Sequence, residues 1–166
     1  KVLPETLREV ENMERLVREI LAISRLEMNG LAGKREPVSL SHLLLSVSEL
    51  LSPLAKEKGI AVHREIAEDV AVSGNASLLE KAVHNIISNA IRHSPKGAEV
   101  FIRLTASCLT VTNTRTAIPA QDLPQLFTPF YRVEKSRSKT TGGSGLGLYL
   151  VQTILELHGL PYQLQT

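Results

Sequence analysis

Between Ser77 and His93 apolar residues fall at Leu78, Leu79, Ala82, Val83, Ile86, Ile87, Ala90 and Ile91, a recurrence at three and four residues that a helix gathers onto one face. The other side of that helix has an unusual chemistry. Asn85 and Asn89 stand one turn apart with Arg92 and His93 next along, so two amides and two potential cations share one row. Amide oxygens can ligate Mg²⁺, which keeps several waters and takes the rest of its shell from phosphates, and arginine offers phosphate oxygens a fork of donors. Taken alone, the row is equally compatible with an ordinary solvated face.

A second stretch narrows the choice. Gly142 to Leu150 reads Gly-Gly-Ser-Gly-Leu-Gly-Leu-Tyr-Leu and runs straight into another apolar-periodic segment ending near His158. Gly143, Gly145 and Gly147 alternate along the chain and keep side chains out of the way, so backbone N–H groups can approach an anion at the mouth of a helix whose dipole also favours negative charge. A glycine run before a core helix also fits a flexible loop. Beside the asparagine helix, a phosphate cradle is the better reading.

In this order the two stretches resemble the cytoplasmic kinase core of two-component sensor histidine kinases. Asn85 to Ser94 is similar to that family's N box, Gly143 to Leu148 to its second glycine box, and Phe127-Thr-Pro-Phe130-Tyr-Arg132 to the F box between them. The resemblance covers nearly the whole chain. It implies ATP and Mg²⁺ as cofactors, with Asn85 and Asn89 at the metal. It places Arg92, His93, Arg132, Gly143, Gly145, Leu146 and Gly147 at ATP and its phosphates, and makes Tyr131 to Thr141, a polar segment hinged by Gly142 and Gly143, a lid over the nucleotide. No catalytic residue is assigned within the chain.

The family's first glycine box carries an Asp that accepts a hydrogen bond from the adenine amino group, then two glycines at alternate positions. The same register here reads Asn113-Thr-Arg115-Thr-Ala117-Ile118, so the resemblance implies an adenine pocket at Asn113, Arg115, Ala117 and Ile118. Asn113 can still accept through its carbonyl oxygen, but hydrogen bonds to a charged group are stronger by about 1 kcal/mol or more. Arg115 either projects into the base pocket and weakens binding, or points outward with its stem along the surface. Two other functions therefore stay in play: a degenerate, weakly nucleotide-binding domain with a regulatory or phosphatase-biased role, and, less favoured, a hydrolysing ATPase of the same nucleotide fold. Hydrolysis needs a general base, usually Glu where this chain has Asn85, and an amide takes no proton at neutral pH.

From its start to Asn29 the chain has helical periodicity. Leu3, Leu7, Val10, Met13, Val17, Ile20 and Ser24 approximate a heptad, and Leu16, Leu21 and Ile23 broaden it into a bundle-type face that something must cover. Leu21 to Leu31 resembles the exit from the second helix of the family's dimerisation and phosphotransfer hairpin. The family's phosphate-accepting histidine lies on the first helix, which the chain does not contain. None of His42, His63, His84, His93 and His158 has its sequence context, so no phosphoacceptor is assigned. Residues 1–30 are thus expected to be the hairpin's second helix, 31–37 a linker, and 38–166 the ATP-binding domain.

Within that domain, Val38 to Leu40 reads as a strand. Ser41 offers an N-cap to a helix running to about Lys58, with Gly59 as its stop. Ile60 to Ile66, Asp69 to Ser73, Ala98 to Ala106, Leu109 to Asn113 and Tyr162 to Thr166 read as strands, and a short helix is expected near Gln121 to Phe127. The order predicts an α+β fold: a two-layer sandwich of a mixed sheet covered by helices on one face, preceded by one long N-terminal helix.

Composition removes other classes. The chain has 166 residues, 43% of them hydrophobic, with a net charge of +2 and charges of both signs spread along it, which allows one good core and no nucleic-acid footprint. The single cysteine, Cys108, falls in a strand-like run and reads as a small buried hydrophobe in a reducing compartment. No apolar run approaches about 18 residues, so a membrane is reached only through parts of a parent sensor outside this chain, and the segment itself is expected to be cytoplasmic. The resemblance adds a response regulator receiver domain as partner and a homodimer formed through the hairpin.

Overall fold

The computed structural model describes residues 2–31, 35–116, 118–132 and 145–165. Helix α1 (Val2–Asn29) ends where Gly30, at φ 60°, donates its N–H to the carbonyl of Leu26 at 2.9 Å. Strand β1 (Glu36–Ser39) pairs antiparallel with β3 (Ala71–Gly74), which sets Val38 opposite Val72. Strand β2 (Ala61–Ile66) runs parallel to β4 (Glu99–Leu104), and β4 pairs antiparallel with β5 (Leu109–Asn113), giving a mixed sheet of order β2-β4-β5. Helices α2 (Leu40–Leu50), α3 (Ser52–Lys58), α4 (Ala76–Arg92) and α5 (Gly147–Leu157) complete the described elements. The α+β expectation holds.

Period two decides how the sheet is covered. On β4, Val100, Ile102 and Leu104 are buried while Glu99, Phe101 and Arg103 face solvent. The inward residues join Leu44, Val47, Leu51, Ala55 and Ile60 and the α4 residues Val83, Ile87 and Ile91 in one core. A second core is built from Leu79 and Ala82 of α4, Leu150 and Ile154 of α5, Val38 of β1, and Ile23 and Leu26 from the last turns of α1. Those two side chains are all that α1 buries fully among its described residues; Leu3, Leu7, Val10, Met13, Val17 and Ile20 remain exposed.

Several local features depart from the sequence reading. Glu36 and Pro37, read as linker, already pair with Gly74 and Ser73. The cap of α2 is Ser39, whose Oγ accepts from the His42 N–H at 3.2 Å. Ser41 is buried instead: its hydroxyl donates to the Ala67 carbonyl at 2.7 Å and accepts from the Val70 N–H at 3.0 Å. The single helix expected to run to Lys58 breaks at Leu51, because Pro53 has no N–H to donate and its ring would strike the carbonyl four residues back, so it sits in the first turn of a new helix. Gly59 ends that helix in the left-handed region, as its position suggested. Near Gln121 only a 3₁₀ turn forms, over Leu123–Gln125. Residues 162–165 form no strand. Cys108 is exposed in the β4–β5 connection, since the ladder stops at the pair Leu104–Leu109.

The chain on either side of residues 133–144 is pinned at one point. Phe130, at φ 65°, donates its N–H to the Gly145 carbonyl at 3.1 Å, and Gly145 is itself at φ 75°. A Cβ on Gly145 would stand 2.7 Å from the carbonyl carbon of Phe130, so backbone lies on backbone and no side chain fits. Two residues on, a Cβ on Gly147 would meet nothing within 4 Å. Gly145→Ala should therefore cost about 2 kcal/mol or more from the clash and the left-handed φ. Gly147→Ala, in the first turn of α5, should be neutral or stabilising by up to about 1 kcal/mol. Chemical denaturation of the two variants checks this; equal losses would show that the clasp is not rigid.

Candidate functional site

The site is assembled around α4. Asn75 caps its start by accepting the Leu78 N–H at 3.0 Å, and His93 caps its end. With Leu79, Val83, Ile87 and Ile91 turned into the two cores, the helix can present only one face to an open concavity, and that face carries Asn85, Asn89, Arg92 and His93. Both asparagines are half-buried, and their side-chain amides have no hydrogen-bond partner among the described residues. That donor set suits a Mg²⁺ ion taking the rest of its shell from waters and phosphate oxygens. Among the described residues no cluster of three or more His, Cys, Asp or Glu could hold a metal without such a ligand.

Cations collect at the C-terminal end of α4. Lys58, the last residue of α3, donates through Nζ to the carbonyls of Ile91 at 3.1 Å and Ser94 at 3.3 Å, and also to that of Arg92. Three carbonyls at and just beyond a helix end thus meet the three protons of one ammonium. Desolvation, with Arg92 beside it, draws the Lys58 ammonium below the ordinary lysine value. His93 lies at the rim, and its imidazole is held below the usual histidine value first by desolvation, then by the charges of Arg132, Lys58 and Arg92. Lys58, Arg92, His93 and Arg132 together form a place where an anion is favoured.

The N-terminus of α5 opens into the same concavity. The first bond within this helix runs from the Leu150 N–H to the Leu146 carbonyl at 2.9 Å, and no side chain caps the end, so the N–H groups of Gly147, Leu148 and Tyr149 point out of it. The empty space beside Gly147 leaves them approachable. Leu146 has its side chain buried with Leu150 and Ile154, so only its backbone belongs to the site. Gly143 and Ala117 lie outside the described residues, as does most of the expected lid. At the foot of that segment, Tyr131 donates to the Asp122 carboxylate, and Phe127 packs edge-on to Tyr162 with ring centroids 5.1 Å apart.

The opposite end of the concavity is made by β5 and the residues after it. Asn113 Nδ2 donates to Ser94 Oγ at 3.3 Å, and the buried Ser94 hydroxyl donates to the Ala90 carbonyl at 2.6 Å. Thr116 Oγ1 donates to the His93 carbonyl at 3.1 Å, and Ile118 is half-buried nearby. Arg115 adopts φ 58°, a left-handed backbone that glycine takes without penalty. Its guanidinium lies against the turn before β4, where a Cβ on Gly97 would stand 3.3 Å from Nη1. The side chain is exposed and runs along the surface, the outward of the two expected dispositions.

The described sequence-predicted residues thus converge: Asn85, Asn89, Arg92, His93, Asn113, Arg115, Ile118, Arg132, Gly145 and Gly147 all border one concavity. Sequence reasoning missed Lys58, Ser94 and Thr116. Ser94 closes the N-box-like stretch and could have drawn notice, whereas Lys58 arrives from another helix and carries no local signal.

The match to known proteins agrees. The family model for histidine kinase-, DNA gyrase B- and HSP90-like ATPases matches residues 74–166. The sensor histidine kinase CusS of Escherichia coli strain K12 is 32% identical over 165 residues, covering 95% of this chain and 33% of the relative, so the chain spans about a third of the length of the curated relatives it matches. Of solved structures, the mycobacterial sensor histidine kinase MprB superposes with a TM-score of 0.62 at 28% identity, over 75% of this chain and 80% of that one. Full-length ShkA in complex with AMPPNP gives 0.73 at 24% identity over 93% of this chain and 33% of its own, a likeness of fold. The shared fold, the ordered motifs and these relatives lead to one conclusion: the chain belongs to the histidine kinase-, DNA gyrase B- and HSP90-like ATPase family, as the ATP-binding catalytic domain of a two-component sensor histidine kinase.

Proposed function

We propose that the domain binds Mg²⁺-ATP across the α4–α5 concavity and, in the intact protein, delivers the γ-phosphate to a histidine on a dimerisation hairpin for relay to the receiver domain of a response regulator. Asn85 and Asn89 would hold the metal, Arg92, His93 and Arg132 the phosphates, and Gly143 and Gly147 would let the α5 N-terminus approach them, with Gly145 clasped to Phe130 beside it. Asn113 would accept the adenine amino group beside Ile118 and Ala117. The observation that carries this reading is the pair of half-buried amides of Asn85 and Asn89, without a side-chain partner among the described residues, beside the basic side chains of Arg92, His93 and Arg132. Such a face can exchange its waters for an anion and its metal.

The exposed stripe on α1 supports residues 1–30 as the second helix of that hairpin, with homodimerisation covering Leu3, Leu7, Val10, Met13 and Val17, and the nucleotide domain would begin with β1 at Glu36. No described helix is long and apolar enough to cross a membrane. A cytoplasmic domain anchored by other parts of a membrane sensor fits that. The uncharged Asn113 in place of a carboxylate favours weaker adenine binding, and so keeps a regulatory, phosphatase-biased role as the second reading.

Asn89→Ala should abolish Mg²⁺-dependent ATP binding while leaving thermal stability within about 1 kcal/mol, because a half-exposed amide gives way to a better helix former. Calorimetric titration with and without Mg²⁺, beside a melting curve, checks both halves; a large loss of stability would make Asn89 a structural amide. A second expectation follows from His93. Free, it titrates below its ordinary value of about 6.5; an adjacent phosphate would raise it, so binding should take up a proton and tighten as pH falls through the bound-state value, levelling off below the free-state one. The proton uptake, read from titrations in buffers of different ionisation enthalpy, should vanish in His93→Gln. Equal uptake in both proteins would remove His93 from the phosphates.

A further inference from the structure

The Ser94 hydroxyl has one proton and two lone pairs, and its neighbours fix how they are used. Ala90 is in the last turn of α4, where carbonyls run out of backbone donors, and the Ser94 N–H goes to the Ile91 carbonyl at 3.2 Å. The Ser94 Oγ–H serves the Ala90 carbonyl at 2.6 Å instead. With its proton committed, Oγ can only accept, so the group of Asn113 facing it at 3.3 Å must be the amide NH₂. Turned over, Asn113 would set oxygen against oxygen or strip the Ala90 carbonyl of its donor. Its Oδ1 is the remaining edge, has no partner among the described residues, and belongs to a half-buried side chain lining the concavity.

An unrestrained asparagine offers either edge to a ligand. Adenine carries an amino donor at its 6 position, where guanine and hypoxanthine carry a carbonyl acceptor, so the two amide orientations select opposite bases. We propose that Ser94 sets the base specificity of the site by locking the Asn113 carbonyl toward the bound purine, so that a 6-amino purine is accepted and a 6-oxo purine refused. A carboxylate at position 113 would need no such lock, since it presents an acceptor on every edge. Ser94 is thus a positioning residue tied to an uncharged Asn113, and its role rests on the proposed placement of the base beside Asn113.

Titration calorimetry with ADP, GDP and IDP tests it. The unmutated protein should bind ADP roughly tenfold or more tighter than IDP; equal binding overturns the lock without any mutation. Ser94→Ala should narrow the ADP-to-GDP ratio by about tenfold, the value of one hydrogen bond gained for one base and lost for the other, while Ser94→Thr, which keeps the hydroxyl, should hold the parent ratio. In an Asn113→Asp background Ser94→Ala should leave the ratio unchanged. An unchanged ratio in the Asn113 background, or an equal fall in both backgrounds, overturns the lock and makes Ser94 merely structural. Failure of the underlying reading looks different: a parent that binds none of the three nucleotides, or Asn113→Ala with the parent's ratio, removes the base from Asn113 altogether.

Discussion

Helix α4 must satisfy two cores at once, and the rest of the domain depends on that. Leu79 and Ala82 pack with α1, α5 and β1, while Val83, Ile87 and Ile91 pack with α2, α3 and the mixed sheet. Burying the four larger side chains contributes on the order of 6–12 kcal/mol before entropy, comparable with the whole net stability of a domain this size. A rotation of α4 that relieved one core would therefore empty the other. Its rotation is fixed by packing, and so is the direction in which Asn85, Asn89, Arg92 and His93 point.

The two helix ends at the concavity have opposite electrostatic character, and the side chains follow. The C-terminus of α4 is a negative pole, which offsets part of the desolvation that holds Lys58 and His93 below their ordinary values, and Lys58 donates to the carbonyls of Ile91 and Ser94. The N-terminus of α5 is a positive pole without a side-chain cap. One end supplies cationic side chains and the other supplies backbone N–H groups. A polyphosphate spanning the two would meet donors along its length, which would join the glycine stretch and the asparagine stretch, far apart in sequence, in one site.

Where a feature depends on periodicity or on a single residue's backbone freedom, it was legible in the sequence. The α4 face, the Gly59 stop and the helix after Gly147 all follow from such local rules. Features set by partners far along the chain were not. Ser39 and Ser41 are equally plausible caps until Ala67 and Val70 claim the Ser41 hydroxyl. Gly145 was read as room for an anion, yet its backbone is occupied by Phe130, and the open glycine is Gly147. Cys108 alternates like a strand residue, but the ladder has already turned. Arg115 looked like an obstruction because residue type suggests bulk; its left-handed φ and its lodging against Gly97 show that a glycine geometry has been kept while the side chain was turned aside.

The same stripe bears on whether a bound γ-phosphate would pass to a protein side chain or to water. Members of this family include ATPases, and passing a γ-phosphate to a protein side chain requires that water not take it first. Hydrolysis is speeded by a general base held within hydrogen-bond reach of the attacking water, and an amide at position 85 offers a lone pair of negligible basicity at neutral pH. In the proposed arrangement Asn85 orders the metal and its waters without drawing a proton from them, and Asp122, a carboxylate at the edge of the concavity, is engaged by the Tyr131 hydroxyl. At position 85, then, an attacking water finds no base, and an asparagine there favours phosphotransfer over turnover.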